Sequence, residues 1–196
     1  GIPVRECFCQ KGDKKYARRL LELPQDKPVY LLMSGSMGFG KLGEMTEAIL
    51  QRHGDGVFVA ILCGRHETLL AKLQKQFEGR SNVRAIPFTN EVSRYMDACD
   101  VIFTKPGGLT STEAAVKNIP LIHTSPIPGC ETRNAQFFSS RGMSFYDEDI
   151  QRQLDFAQRV TTDPQVLGQM LHAQRNHTNP RAASQICDLA QQLAGQ

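Results

Sequence analysis

Asp100-Val-Ile-Phe-Thr104 runs straight into Lys105-Pro-Gly-Gly-Leu-Thr-Ser-Thr-Glu113, and this junction most constrains what the chain folds into. Four apolar or β-branched residues bounded by Asp and Lys predict a short buried strand. Pro106-Gly107-Gly108 then imposes a turn, and the following residues predict a helix over 109–117. At such a strand-to-helix handover, backbone N–H groups converge. Glycines without side chains let an anion approach those amides, and the first helical turn adds unpaired donors and a positive dipole end. Glu113, about one turn further on, can accept from two vicinal hydroxyls, although an acid early in a helix is also what the dipole favours. A phosphate site beside a diol site points to a nucleotide.

A second strand, glycine turn and helix occurs at Val29–Ser34, Gly35-Ser-Met-Gly-Phe-Gly40 and the segment 41–52. Its glycines read G-x-x-G-x-G, and the next strand, Val57–Cys63, ends in Gly64-Arg65 without an acid for a ribose. A nicotinamide or flavin dinucleotide is therefore not expected. Lys41 is followed by Leu42 rather than Ser or Thr, which removes a magnesium-binding P-loop. Further strands are predicted at Val83–Pro87, Val101–Thr104, Leu121–His123 and Met143–Phe145. Helices are predicted at 11–23, 67–77, 92–98 and 133–140, with a helical tail from Asp149 broken at Asp163-Pro164 and Asn179-Pro180. This alternation predicts one α/β domain, a Rossmann-like open parallel sheet with helices on both faces. Its ligands belong beyond the carboxyl ends of the strands.

The 196 residues suffice for one well-buried core, and a net charge of +3 is too small to argue for nucleic acid. No apolar run approaches the roughly 20 residues that cross a bilayer, and no leader pattern opens the chain. Without C-x-x-C pairs, the six cysteines read as reduced thiols of a cytoplasmic protein. Asp147-Glu-Asp149 has the look of a metal motif but opens a helix, where acids are expected. The histidines show no metal-ligand spacing, so no metal is expected, and His123 sits at a strand end close enough to the expected cleft to touch ligand.

Taken in order, Gly35-Ser-Met-Gly38, Leu62-Cys-Gly-Arg65, Phe88-Thr-Asn90 with Met96 and Asp100, Thr104–Glu113 and Pro128-Gly-Cys-Glu-Thr-Arg-Asn134 ahead of Gly142 resemble the C-terminal, donor-binding domain of GT-B glycosyltransferases of family 28. The branch most resembled makes diacylglycerol glycolipids: monogalactosyldiacylglycerol synthases and processive diacylglycerol glucosyltransferases. The resemblance implies a domain at 29–196 that binds UDP-glucose or UDP-galactose, preceded by an interdomain linker and short helix at 1–28. It further implies inverting transfer to diacylglycerol, held together with the base by an N-terminal domain outside this chain. The whole protein would then be peripheral on the inner face of the membrane. No cofactor is implied beyond the donor sugar nucleotide. Carried over by position, main-chain groups of Phe88 and Thr89 would meet the uracil and Glu113 the ribose. Gly108, Leu109 and Thr110, joined by Ser36, Met37 and Gly38, would take the diphosphate, and Glu131 and Asn134 the hexose. Cys130 stands where the family usually carries glutamine, so the identity of the sugar stays open. The alternatives are a UDP-N-acetylglucosamine transferase of the peptidoglycan-precursor type, a UDP-sugar epimerase, or a nucleotide-binding module without a reaction.

Overall fold

A computed structural model of the chain describes residues 1–33 and 41–195. It contains one parallel sheet of six strands: β1 (Val29–Met33), β2 (Phe58–Leu62), β3 (Val83–Ile86), β4 (Val101–Thr104), β5 (Leu121–His123) and β6 (Phe145–Tyr146). Their order is β3-β2-β1-β4-β5-β6, so the winding reverses between β1 and β4. The register pairs Leu31 with Ala60 on one side and with Ile102 on the other. Parallel strands covered on both faces are apolar at every position, and β1, β2, β4 and β5 are buried throughout.

Alternate residues of each strand feed two separate cores. Val29, Leu31 and Met33 point into one, which is covered by α1 (Glu6–Cys9), α2 (Lys14–Leu20), α5 (Val92–Ala98), α6 (Gly108–Val116) and α7 (Cys130–Ser140). Tyr30 and Leu32 point into the other, under α3 (Leu42–His53), α4 (Glu67–Gln76) and α8 (Ile150–Thr162). Full burial of a side chain such as Leu31 or Ile61 contributes about 1.5–3 kcal/mol. α9 (Pro164–His177) closes the sheet edge, lending Ala173 to the first core and Leu167 to the second. α10 (Ala182–Ala194) completes the chain.

The expected elements are present with shifted ends. The helix expected over 11–23 is shortened to α2, because Gly12 turns its amide to Asp97 (3.0 Å) and Asp13 caps the helix by accepting from the Tyr16 amide (2.7 Å), and the short α1 that precedes it was not expected. α7 begins three residues earlier than expected, directly after Gly129, whose φ of 105° suits glycine alone. β6 lies at Phe145–Tyr146 rather than at Met143–Phe145, since the stretch from Gly142 to Ser144 is spent leaving α7. Phe8 is wholly buried, and Lys117, with only 1% of its side chain exposed, grips Asp97 (2.7 Å) and the Gln10 carbonyl (2.8 Å). The first 28 residues are thus packed onto the sheet domain. All six cysteines are free thiols, with Cys63 and Cys99 buried.

Candidate functional site

A cleft of about 440 Å³ opens at the carboxyl edge of the sheet, over β1, β2 and β3 and beside α6. Met33, Leu62, Pro87 and Val92 give it an apolar floor, while Phe88, Thr89, Thr110 and Glu113 bring polar groups and the one exposed aromatic ring. The strand reversal next to β1 makes this edge the expected place for a ligand, since the connections on either side of it diverge. The sequence-derived positions Phe88, Thr89, Thr110 and Glu113 therefore share one cavity. Ser36, Met37 and Gly38 lie outside the described residues.

α6 opens the phosphate side of the cleft. Its N-cap is Gly107, and no side chain among the described residues caps it, so the amides of Gly108, Leu109 and Thr110 are first-turn donors without a protein partner among those residues. A Cβ built on Gly107 would meet nothing within 4 Å, so the protein's own packing does not demand a glycine there. At Gly108 the same atom would come within 3.3 Å of Ile2, a contact that leaves little room. Glu113 faces the cleft half-buried, and loss of solvent pushes its carboxyl above the usual carboxylate range, against the opposing pull of Arg5.

Two arginines that the sequence reading did not assign line the same cavity. Arg65 lies 4.8 Å over the Phe88 ring, a cation–π pair that steadies the aromatic edge of the cleft. Arg5 comes from the segment read as a linker and brings a charge toward Glu113. Arg65 belongs to one of the motif words, so its signal was present. Arg5 lies well before Met33, the next cleft residue along the chain, and no periodicity marks it.

Glu131 and Asn134 lie on the first turns of α7, across a narrow gap from the loop after β4. Glu131 accepts from Lys105 Nζ (2.7 Å) through Oε1 and from the Ile127 amide (2.8 Å) through Oε2. Asn134 donates from Nδ2 to the Pro106 carbonyl (3.0 Å). Both are thus engaged with the loop that leads into α6, and Lys105 is in an ion pair with Glu131. Glu131 retains acceptor lone pairs on each oxygen, since a carboxylate offers about four such sites.

His123 is not at the cleft, contrary to expectation. It is fully buried, its Nε2 is 2.9 Å from Ser111 Oγ and its Nδ1 3.0 Å from Ser144 Oγ, and Phe138 packs edge-on against the ring. Burial lowers its pKa to about 3, so it is neutral in the folded protein. The unfolded chain binds a proton near pH 6.5 that the native state refuses, so stability is full above that pH and falls as pH drops from about 6.5 toward 3. The expected slope from this one group is about 1.4 kcal/mol per pH unit. Urea unfolding between pH 7 and 5 should show it in the native chain and lose it in His123→Gln.

The acids of Asp147-Glu-Asp149 serve α8. Asp149 accepts from the Arg152 amide (2.9 Å), and Asp147 accepts from the Asp149 amide (2.9 Å), which holds the Asp147 carboxyl below its usual range. Among the described residues no cluster of His, Cys, Asp and Glu could hold a metal ion, and no helix is long and apolar enough to cross a membrane. A recess of about 510 Å³ at the opposite, amino edge of the sheet contains Lys14, Asp97, Asp100 and Lys117. These charges are satisfied by one another, which leaves the carboxyl-edge cleft as the better ligand site.

Strand order, reversal point and cleft define a Rossmann-like α/β domain of the type that forms half of a GT-B glycosyltransferase. Residues 29–193 match the glycosyltransferase family 28 C-terminal domain, and the chain belongs to that family. It is similar to processive diacylglycerol beta-glucosyltransferase of Staphylococcus carnosus, 32% identical over 171 residues that cover 87% of this chain and 44% of that protein. It is also similar to the probable chloroplastic monogalactosyldiacylglycerol synthase 2 of Oryza sativa subsp. japonica, 31% identical over 76% of this chain and 33% of the other. The chain spans about half the length of the bacterial relatives it matches, or less. In fold it resembles MurG of Acinetobacter baumannii (TM-score 0.70, 22% identity, 94% of this chain and 55% of that one). It likewise resembles Anabaena Alr3699/HepE in complex with UDP and glucose (TM-score 0.73, 14% identity, 99% and 55%).

Proposed function

We propose that this domain binds the UDP-hexose donor of a glycolipid-forming glycosyltransferase, whose acceptor is the hydroxyl of diacylglycerol. The observation that carries the reading is the single cleft in which an uncapped helix start, a desolvated carboxylate and an exposed aromatic edge meet. Those three groups match diphosphate, ribose diol and base in the order in which a nucleoside diphosphate presents them. The diacylglycerol acceptor is supported by the relatives' names and by the match to this chain over most of its length.

In this reading the acceptor oxygen attacks the anomeric carbon, the bond from that carbon to the diphosphate breaks, and configuration inverts. Negative charge grows on the leaving UDP, and the α6 amides with their dipole stabilise it. The acceptor's proton goes to a base supplied, together with the lipid site, by a second domain of the whole protein, which associates peripherally with the membrane. The direct test is transfer from radiolabelled UDP-glucose and UDP-galactose to diacylglycerol by the full-length protein. A lipid-linked hexose is the expected product, and its absence with both donors would remove the reading.

If Glu131 and Asn134 meet the hexose, Asn134→Ala reduces UDP-hexose affinity by about 0.5–1.5 kcal/mol, the net worth of one hydrogen bond, while UDP binding is unchanged. Paired calorimetric titrations read this as a ratio. Equal losses for both ligands would place Asn134 at the nucleotide instead.

A further inference from the structure

We propose that Lys105 is the positioning residue for hexose recognition, clamping the loop after β5 to the loop after β4 through its ion pair with Glu131. The inference rests on the reading of Glu131 and Asn134 as sugar-facing groups and adds a residue that touches neither sugar nor nucleotide. Lys105 and Glu131 side chains are each only 14% exposed, and Nζ lies 2.7 Å from Oε1. An ion pair so shielded is screened little by salt and holds its geometry far better than a surface pair. The second carboxylate oxygen accepts from the Ile127 amide at 2.8 Å, which ties down the turn that leads into α7.

A counter-tie runs the other way across the same gap, from Asn134 Nδ2 to the carbonyl of Pro106, the residue next to Lys105. The two loops are therefore laced twice, once from each side, and the two residues assigned to the hexose are the two that do the lacing. One oxygen of Glu131 is oriented by Lys105 and the other by the backbone, which leaves the remaining lone pairs in fixed directions for sugar hydroxyls. Gly108, where α6 begins, follows Lys105 by three residues. The clamp thus sets the hexose loop in register with the helix start that takes the diphosphate.

The charge balance separates this role from direct phosphate binding. A lysine free to meet the diphosphate would strengthen UDP and UDP-hexose alike, because both carry it. A lysine neutralised by Glu131 contributes little to the diphosphate, and its removal is felt where Glu131 is needed.

The test uses this chain with Lys105→Met, Lys105→Arg, Glu131→Gln and the Lys105→Met/Glu131→Gln double variant, titrated with UDP, UDP-glucose and UDP-galactose. Lys105→Met is expected to lower affinity for the preferred UDP-hexose about tenfold relative to UDP, and Lys105→Arg, which can remake the pair, to restore most of it. Glu131→Gln should give the same loss, and the double variant no more than either alone, since a shared interaction is lost only once. A second measurement needs no ligand: amide hydrogen exchange at Ile127 should quicken in Lys105→Met and return in Lys105→Arg. Equal losses for UDP and UDP-hexose would overturn the proposal in favour of a phosphate contact, as would unchanged Ile127 exchange. Failure of the unaltered chain to bind UDP would instead overturn the nucleotide reading, while the exchange data would still report on the clamp.

Discussion

Glu113→Ala weakens UDP binding by about 1.5–3 kcal/mol, the range for hydrogen bonds to a charged group, and leaves the fold intact. The carboxylate is half-buried on α6 at the wall of the cleft, whose floor is apolar. Accepting from both hydroxyls of a ribose replaces the solvent that burial removed. Because desolvation raises the carboxyl's pKa, UDP affinity falls on acidification at a pH above that of an ordinary carboxylate, and this dependence disappears in Glu113→Ala. As a fold determinant the side chain contributes little, since it lies past the first turn of α6, where the helix dipole's effect has fallen off. Calorimetry of both proteins from pH 7 to 5, with thermal unfolding as the control, measures all three statements. UDP bound equally by the variant and the parent would make Glu113 a structural acid and move the ribose elsewhere.

Arg18→Met destabilises the domain by about 3–5 kcal/mol, the cost of leaving a buried charge without its partner. Arg18 has 7% of its side chain exposed and organises the amino edge of the sheet. Its Nε donates to the Ala98 carbonyl (2.8 Å), Nη1 to those of Pro24 (3.3 Å) and Lys27 (3.1 Å), and Nη2 meets Asp100 (2.5 Å). The same Asp100 oxygen accepts from the amide of Val29 (2.7 Å), the first residue of the central strand. Removing the guanidinium strands three carbonyls and part of a carboxylate at once. Lys14 pairs with the other Asp100 oxygen at 2.7 Å but is half exposed, so Lys14→Met should cost no more than about 1 kcal/mol. Urea midpoints of the two variants give the comparison directly. Since this network lies at the edge opposite the cleft, UDP affinity of folded Arg18→Met should equal that of the parent, and similar destabilisation by both substitutions would show that the network is not organised around Arg18.

Much of the fold was legible because a doubly covered parallel sheet writes itself as short, wholly apolar runs separated by glycine turns. β4 and α5 fall at the expected residues, and α4 at all but its last. Two helix starts were misplaced for a common reason: Gly12, just ahead of α2, and Gly129, just ahead of α7, set them through a contact and a φ value that no periodicity encodes. How the first segment packs was not legible, because Phe8 and Ala17 lie in short helices whose burial depends on distant partners. Phe88, Thr89, Thr110 and Glu113, which contiguous motifs carry, line one cavity, and Arg5 joins them from a part of the chain without a motif. His123 misled for the opposite reason. Its place at a strand end was right, but a strand end can face the core, and two serines from α6 and the approach to β6 enclose it. That Lys105 is engaged with Glu131 depends on how two loops meet, which only the assembled fold displays.

The most direct test of the nucleotide cleft is a titration of isotope-labelled chain with UDP, followed at the backbone amides. Saturable shifts concentrated at Phe88, Thr89 and the Gly108–Glu113 turn, with the amino-edge residues Lys14, Asp97 and Lys117 unmoved, are the predicted result. Absence of saturation, or shifts centred on the amino-edge recess, would contradict it.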